Sequence, residues 1–250
     1  MTETGEGWAE RAAMHRLLLR LAGRVPDEFV SYTRKVLCDG DLLLLSGALS
    51  ASLAQLGVSV TPDEFELLRG LAPEAKGIEL IPVSAEPLPP TGHVFSPVSA
   101  EVLAVSAGSV PLRLDLSGGS TFDLREVGPE LASLADLAMV LTDDTDQETV
   151  NDLSFEGGVV AVRRAWRFAA SGAPVEAQRV FLIEAAPGWP AWDLTGSTQV
   201  VLGEERVRYP QVETYWSGDE LSAYHKSALE NAALLWTAEA AARREAAGGE

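Results

Sequence analysis

Cysteine and lysine are both scarce in this chain. Cys38 is the only cysteine, so an intrachain disulfide is impossible and the cysteine content does not indicate an oxidising compartment. Only three of the 19 basic residues are lysines, and the rest are arginines. Together with the abundance of alanine and glycine, this bias is typical of a protein from a GC-rich bacterium.

Long apolar runs and targeting segments are missing as well. No stretch approaches the roughly 18 uncharged apolar residues that a membrane-spanning helix needs. The first seven residues include two glutamates and lack the basic and apolar regions of a signal peptide. We therefore expect a soluble, cytoplasmic protein that does not associate with membranes.

Positive charge is also in short supply. The formal net charge is -18 at pH 7, so most of the surface should repel phosphate backbones, and nucleic-acid binding is not expected. Apolar residues make up 46% of the chain and charged residues 22%, which is close to ordinary globular usage and predicts a folded protein.

The sequence lacks the familiar motifs of catalysis and metal binding. It has no Gly-x-Ser-x-Gly elbow, no Walker loop and no Gly-x-Gly-x-x-Gly sequence after a strand. His15, His93 and His225 are widely separated and none belongs to a His-x-x-His or His-x-x-x-His pair, so the sequence does not support a zinc site. His225 is expected at the surface. The acidic segment 143–152 does not match a calcium loop and predicts either the start of a helix or a solvated loop. No catalytic residue, metal or cofactor is therefore predicted, and Cys38 is expected to be a buried, unreactive thiol.

Residues 1–72 are predicted to form a small all-α helical module. Apolar residues recur at helical spacing through four segments between residues 8 and 71. The clearest helix start is Thr61-Pro62-Asp63-Glu64, which matches the capping-box pattern with proline at the first helical position. The six prolines of residues 73–97 then predict an interdomain linker.

Residues 98–250 are predicted to form a mixed α/β domain whose topology stays open. Strands are predicted at 110–116, 159–168 and 180–183. The leucine spacing over residues 131–141 predicts an amphipathic helix. A second capping-box pattern at Ser217-Gly218-Asp219-Glu220 predicts one long C-terminal helix that continues through Trp236. The expected fold class is α+β or α/β.

The segment Ser117-Gly118-Gly119-Ser120-Thr121 follows a predicted strand and is a candidate ligand-binding turn. Backbone N–H groups of such a turn can converge on an anion, and the hydroxyls of Ser120 and Thr121 add donors. The run is similar to the Asp-x-Gly-Gly-Gly-Ser/Thr phosphate loop of the actin-like and exopolyphosphatase-like ATPase superfamily, although Ser117 replaces the first glycine. That fold requires two such halves and a longer chain, so we do not assign the family. An ordinary glycine turn is the alternative.

Arg163-Arg164-Ala165-Trp166-Arg167 is the only tight basic cluster in this acidic chain. In a strand, Arg163 and Arg167 share one face and Arg164 lies on the other. Arginine is well suited to bidentate contact with phosphate or carboxylate groups, so Arg163 and Arg167 are candidate ligand-binding residues. Pairing with carboxylates of the same chain is the alternative interpretation.

Trp189 and Trp192 lie in a predicted loop that contains proline and glycine, and they are the candidate partner-binding residues. Tryptophan is enriched at binding hot spots, so two large aromatic side chains in one loop favour a contact surface. The alternative is that they fold back over the core, since tryptophan is highly buried on average.

These observations favour a non-enzymatic protein-interaction or adaptor protein, with another protein as its partner. The alternative is a phosphate-ligand or nucleotide-binding protein, or a phosphotransferase, that uses the turn at 117–121 together with Arg163 or Arg167. The two hypotheses differ in whether a phosphorylated ligand stabilises the fold.

Overall fold

The computed structural model describes residues 5–71, 77–85, 92–100, 102, 113–115, 121–123, 142–169 and 177–248. For residues 113–115 and 121–123 the description covers the backbone alone. The helix predicted over residues 131–141 lies outside the described residues.

Eight α-helices are present in the described part of the chain. They are α1 (Gly5–Leu21), α2 (Asp27–Cys38), α3 (Leu42–Leu56), α4 (Pro62–Leu71), α5 (Asp144–Phe155), α6 (Ala191–Glu204), α7 (Ala223–Glu230) and α8 (Ala238–Gly248). A 3-10 turn, Ile78–Leu80, follows α4.

The described strands combine with these helices into a protein of the α+β class. They are β1 (His93–Ser96), β2 (Arg113–Asp115), β3 (Thr121–Asp123), β4 (Val159–Ala169), β5 (Gln178–Ala185), β6 (Gln211–Trp216) and β7 (Ala233–Thr237). Five of them form one mixed sheet, and β2 pairs with β3 separately.

Strand β4 is the most connected strand of the sheet, because it pairs with three other strands. β5 runs antiparallel along one edge. The other edge is shared, since β7 pairs with residues 161–164 and β1 pairs with residues 166–169. β6 pairs with β5 in parallel, and α6 provides the crossover that a parallel pair requires.

Both faces of the sheet are covered, because alternate side chains of β5 lie in two different buried clusters. Phe181 and Ile183 belong to one buried cluster, whereas Val180 and Leu182 belong to another on the opposite face. Side chains from α1 to α6 complete the first cluster, while the end of α1, β1 and α7 complete the second. A strand buried on both faces explains the uninterrupted apolar run at residues 180–183.

The N-terminal helices share a core with the sheet. Leu17 and Leu37 lie in the same buried cluster as Phe181 and Val212. Ile78, within the predicted linker, joins that cluster too. A separate helical module and a Pro-rich linker are therefore not confirmed, and the domain boundaries given above stay predictions.

The C-terminal region differs from the expected single long helix. Instead of one helix from Ser217, the chain forms α7, then β7, then α8. Ser222 rather than Ser217 caps α7, because its hydroxyl accepts a hydrogen bond from the backbone N–H of His225. After Asn231 the chain turns and β7 pairs with the first half of β4. The backbone groups of β4 thus gain partners that a continuous helix would not supply.

Candidate functional site

The candidate ligand-binding turn is described only at its end. Residues 117–120 lie outside the described residues. Thr121 is the first residue of β3, and its backbone pairs with Asp115 of β2. The binding role of this turn stays a prediction.

Arg163 and Arg167 lie on one face of β4 and have carboxylate partners. Arg163 Nη1 lies 3.4 Å from Glu184 Oε2. The buried Arg167 donates to Asp27 and, over 3.1 Å, to the hydroxyl of Tyr224. This arrangement corresponds to the alternative of pairing within the chain.

The two tryptophans of the candidate contact loop have different environments. Trp189 is 39% exposed, and its ring lies so close to two glycines that a Cβ atom on Gly157 would approach it within 2.6 Å. Trp192, the second residue of α6, is 1% exposed, and its ring centroid lies 4.6 Å from that of Trp8. The structure therefore places Trp192 in the core, which is the alternative considered above, and leaves Trp189 at the surface.

An apolar groove of about 680 Å³ lies between α2 and α6. Its lining includes Tyr32 and Cys38 of α2, Gly196 and Val200 of α6, and Tyr209 of the loop that follows α6. Tyr32 is 48% exposed and Val200 is 61% exposed, so both helices present large apolar groups to solvent. We call this feature the α2–α6 groove.

The two helices approach each other closely at the groove. A Cβ atom on Gly196 would collide with the Sγ atom of Cys38, so only glycine permits this spacing. Burial raises the pKa of the Cys38 thiol, which disfavours the reactive thiolate.

The rim of the α2–α6 groove is predominantly acidic. Glu28, Asp39 and Asp193 are among its lining residues, and Lys35 adds one cation. Lys35 Nζ lies 2.9 Å from Asp39 Oδ2, so that cation is engaged with the carboxylate of the residue that follows α2. The groove therefore combines an apolar interior with a negative edge.

Tyr209 occupies an unusual backbone conformation. Its φ is 52°, and Arg206 in the same loop has a φ of 60°. A left-handed conformation costs a residue other than glycine roughly 1 to 2 kcal/mol. The loop between α6 and β6 thus places Tyr209 at the groove in a backbone conformation that is unfavourable for this residue.

A second cavity, of about 380 Å³, lies between α1 and the amino end of α7, and we call it the α7 pocket. It is lined by Arg16, Leu19, Arg20, Asp219, Glu220, Leu221, Ser222 and His225. Arg16 pairs with Asp219 over 3.2 Å, and Arg20 pairs with Glu64 over 2.9 Å. Both guanidinium groups are therefore oriented by carboxylates.

A chain of hydrogen bonds runs from the α7 pocket into the core. Ser222 Oγ lies 2.8 Å from His225 Nδ1, and His225 Nε2 lies 3.0 Å from Glu213 Oε2. Arg34 of α2 donates to the same carboxylate oxygen. The side chains of His225, Glu213 and Arg34 are 1% exposed or less, whereas Ser222 is partly exposed. We call these four residues the Ser222 chain.

The protonation of Glu213 defines the direction of these hydrogen bonds. Burial would raise the pKa of its carboxyl, but the charge of Arg34 and the hydrogen bond from His225 outweigh burial and lower the pKa to about 2. The carboxylate is therefore an acceptor, and His225 donates to it from Nε2. In the neutral imidazole that donates from Nε2, Nδ1 is the acceptor for the Ser222 hydroxyl.

Sequence reasoning missed the Ser222 chain, and its expectation for His225 is wrong. His225 is 1% exposed rather than at the surface, because Glu213 and Ser222 supply the polar partners that a buried imidazole requires. The one local signal is a serine three residues before a histidine at a helix start. Arg34 and Glu213 carry no local signal, since they are joined to His225 by the fold alone.

Within the described ranges, no group of three or more His, Cys, Asp or Glu side chains is arranged to hold a metal ion. None of the helices in that part of the chain is both long and apolar enough to cross a membrane. Comparison of the chain with protein-family models, with curated proteins and with solved structures gives no match.

Proposed function

We propose that the chain is a protein-interaction protein, an adaptor that holds an apolar segment of another protein in the α2–α6 groove. The observation that carries this proposal is the pair of exposed apolar walls, with Tyr32 on α2 and Val200 on α6 facing one open groove. Exposed apolar clusters on globular proteins usually mark interaction sites. A cytoplasmic setting, expected from the single cysteine, is part of the proposal.

Charge defines the kind of partner that fits. The chain has a net charge of -18, and Glu28, Asp39 and Asp193 add carboxylates at the edge of the groove. A segment whose apolar side chains are flanked by lysine or arginine complements both features, whereas an acidic segment is repelled. The strained backbone of Tyr209 supports a binding role, because such strain clusters at functional sites.

Site-specific photocrosslinking in the native host tests the groove directly. A benzoylphenylalanine placed at Val200 should capture one partner, while the same group at Leu43 should not. Leu43 is the matched control because it is an apolar side chain of α3 that is 75% exposed away from the groove lining. Tyr32→Asp should abolish capture from position 200. Equal capture from both positions, or none from position 200, would contradict the proposal.

A pair of synthetic peptides tests the charge argument without knowledge of the partner. Both carry the same leucine-rich helical face, and one is flanked by lysines and the other by glutamates. Fluorescence anisotropy should show tighter binding of the lysine peptide, with affinity that falls as salt is added. Equal affinity for the two peptides would show that the acidic rim does not select the partner.

The alternative, a phosphate-ligand binding protein or phosphotransferase, depends on the turn at 117–121. Arg163 and Arg167 support it less, since a ligand would have to displace Glu184 and Asp27 from them. Thermal unfolding with ATP, ADP and inorganic phosphate tests this alternative, because a bound ligand raises the melting temperature. A rise that disappears in Thr121→Ala would favour phosphate binding over the adaptor role.

A further inference from the structure

Three members of the Ser222 chain have the connectivity of a nucleophile, a base and an orienting carboxylate. The hydroxyl of Ser222 and Nδ1 of His225 are 2.8 Å apart, and Nε2 of His225 and the carboxylate of Glu213 are 3.0 Å apart. Both distances lie within the range of working nucleophile–base and base–orienter pairs. Such a constellation is recognised by geometry and roles, because it recurs on unrelated folds at unrelated sequence positions.

We propose that Ser222 is a nucleophile that accepts an acyl group from a small ester bound in the α7 pocket. His225 is its general base, and Glu213 is the residue that orients the imidazole. This activity goes beyond the adaptor role and does not depend on the α2–α6 groove. It would make the chain an enzyme as well as a binding protein.

Exposure supports the roles of the three residues. Ser222 is partly exposed and lines the α7 pocket, so an ester can reach its Oγ atom. His225 and Glu213 are 1% and 0% exposed, so water does not compete for the bond that orients the imidazole. The pocket volume of about 380 Å³ lies at the small end of the roughly 300 to 1,000 Å³ of ligand sites, which limits the substrate to a small ester.

The amino end of α7 supplies donors for the charge that develops during the reaction. Ser222 is the N-cap of this helix, so the N–H groups of Ala223 and Tyr224 in the first turn have no partner within the helix. These groups and the helix dipole favour negative charge beside the Ser222 side chain. Arg16 and Arg20 lie on the α1 side of the pocket, but they pair with carboxylates and two acidic residues, Asp219 and Glu220, also line the pocket, so the backbone N–H groups are the donors on which the proposal depends. An ester oxygen that becomes an oxyanion is stabilised in this place.

The proposed reaction proceeds in two balanced halves. Ser222 Oγ attacks the ester carbonyl carbon and transfers its proton to His225 Nδ1. The tetrahedral oxyanion collapses, the bond to the leaving oxygen breaks, and His225 returns the proton to release an alcohol. Water then attacks the acyl-serine, again through His225, and releases a carboxylic acid while the Ser222 hydroxyl is restored.

Helix capping alone does not explain the arrangement. The hydroxyl of Ser222 also accepts the backbone N–H of His225 over 3.4 Å, as an N-cap does. Asparagine and aspartate cap helices as well as serine does, and neither is a hydroxyl nucleophile. Ser222→Asn therefore keeps the cap and removes the proposed chemistry, which separates the two roles of this residue.

A fluorophosphonate probe, which reacts with activated serines, tests the unmodified chain. We expect one adduct, located by mass spectrometry on Ser222. Ser222→Asn should lose the adduct and the hydrolysis of p-nitrophenyl acetate while it keeps the melting temperature. His225→Gln should slow labelling by about 100-fold or more, because general-base catalysis contributes that much. Ser227→Ala, in the same helix, should label at the unmodified rate.

The role of Glu213 in orienting the imidazole is tested by a measurement that does not depend on the stability of the fold. In Ser222→Cys, the imidazole of His225 should lower the pKa of the new thiol below its ordinary value of about 8.5. The pH dependence of alkylation by iodoacetamide measures that pKa, because only the thiolate reacts. Adding Glu213→Gln should move that profile to higher pH. Cys38, present in the unmodified chain, provides the background rate.

Two results would overturn the proposal. One is an unmodified, folded chain that gives no fluorophosphonate adduct on Ser222. The other is p-nitrophenyl acetate hydrolysis that is the same in the unmodified chain and in Ser222→Asn. If Ser222→Asn lowers the melting temperature, the first result still decides, since it requires no substitution.

Discussion

Replacing Trp192 by alanine should destabilise the fold strongly, whereas the same change at Trp189 should cost much less. Trp192 is 1% exposed, and its ring lies against those of Trp8 and Trp216. A buried tryptophan removes about 150 to 250 Å² from water, which at about 25 cal/mol per Å² corresponds to about 4 to 6 kcal/mol. Because the unfolded chain already buries part of that area, we expect a loss of about 3 to 5 kcal/mol.

Two further variants make this prediction specific. Trp192 Nε1 has no hydrogen-bond partner in the described part of the chain, so Trp192→Phe loses no hydrogen bond and should cost less than about 2 kcal/mol. Trp189→Ala removes a ring that is 39% exposed and covers two glycines, so we expect a cost of about 1 to 2 kcal/mol.

Urea unfolding followed by circular dichroism measures these differences, provided that the m-value is unchanged. A Trp192→Ala variant within about 1 kcal/mol of the unmodified chain would refute the reasoning. So would equal losses at Trp189 and Trp192, because the two environments would then be energetically alike.

Urea unfolding also tests the contributions of three other residues, His15, Gly196 and Thr61, to the free energy of unfolding. Burial lowers the pKa of His15 from 6.5 to about 4. The free energy of unfolding should therefore fall by up to about 3 kcal/mol as the pH drops from 6.5 to 4, because the unfolded chain takes up this proton more readily. His15→Gln should make the free energy of unfolding depend less on pH in this range. Gly196→Ala should cost about 1 to 3 kcal/mol, because the new methyl group would collide with the Sγ atom of Cys38. Adding Cys38→Ala removes that atom and should recover most of the loss. Strictly additive losses would contradict the contact between the two residues. Thr61→Ala should cost about 1 kcal/mol, because its hydroxyl caps α4, whereas no loss would make the capping box energetically irrelevant.

Sequence patterns predicted those structural features that depend only on residues close together in the sequence. The capping box predicted at Thr61 is present, since the Thr61 N–H donates to Glu64 Oε2 over 3.0 Å and the Glu64 N–H donates to Thr61 Oγ1 over 3.3 Å. Of the two outcomes expected for the acidic segment, the helix start is present, because Asp143 caps α5 by accepting the N–H of Asp146. Both features are decided within four residues, so the sequence alone could predict them.

Helix α6 could not be predicted in this way. Its threonine, glycine, serine and valine residues are poor helix formers, so local propensity argues against a helix. Packing supplies the stability, since Trp192, Leu194 and Leu202 are buried in the main core. Thr195 and Thr198 satisfy their buried hydroxyls on carbonyls of the preceding turn. Tertiary contacts therefore override the local preference, and the α2–α6 groove that depends on α6 was missed with it.

The Ser222 chain was missed for a different reason. Ser222 and His225 are close in sequence, but Glu213 comes from a strand and Arg34 from a helix almost 200 residues earlier. No periodic or spaced pattern joins such residues, because only the packing of α2 and α7 against β6 brings them together. A site of this kind can be found only after the sheet order is known.

Helix α2 carries residues of both proposed sites, but on opposite sides. Tyr32 is 48% exposed in the α2–α6 groove, whereas Arg34 is 1% exposed and bonded to Glu213. Two residues along a helix of 3.6 residues per turn are about 200° apart, so a change at Tyr32 does not touch Arg34. Tyr32→Asp should therefore lose crosslinking from Val200 and keep fluorophosphonate labelling of Ser222, and Ser222→Asn should do the reverse. If Tyr32→Asp also slows labelling while the melting temperature is unchanged, the two sites are coupled through α2 and their independence is disproved.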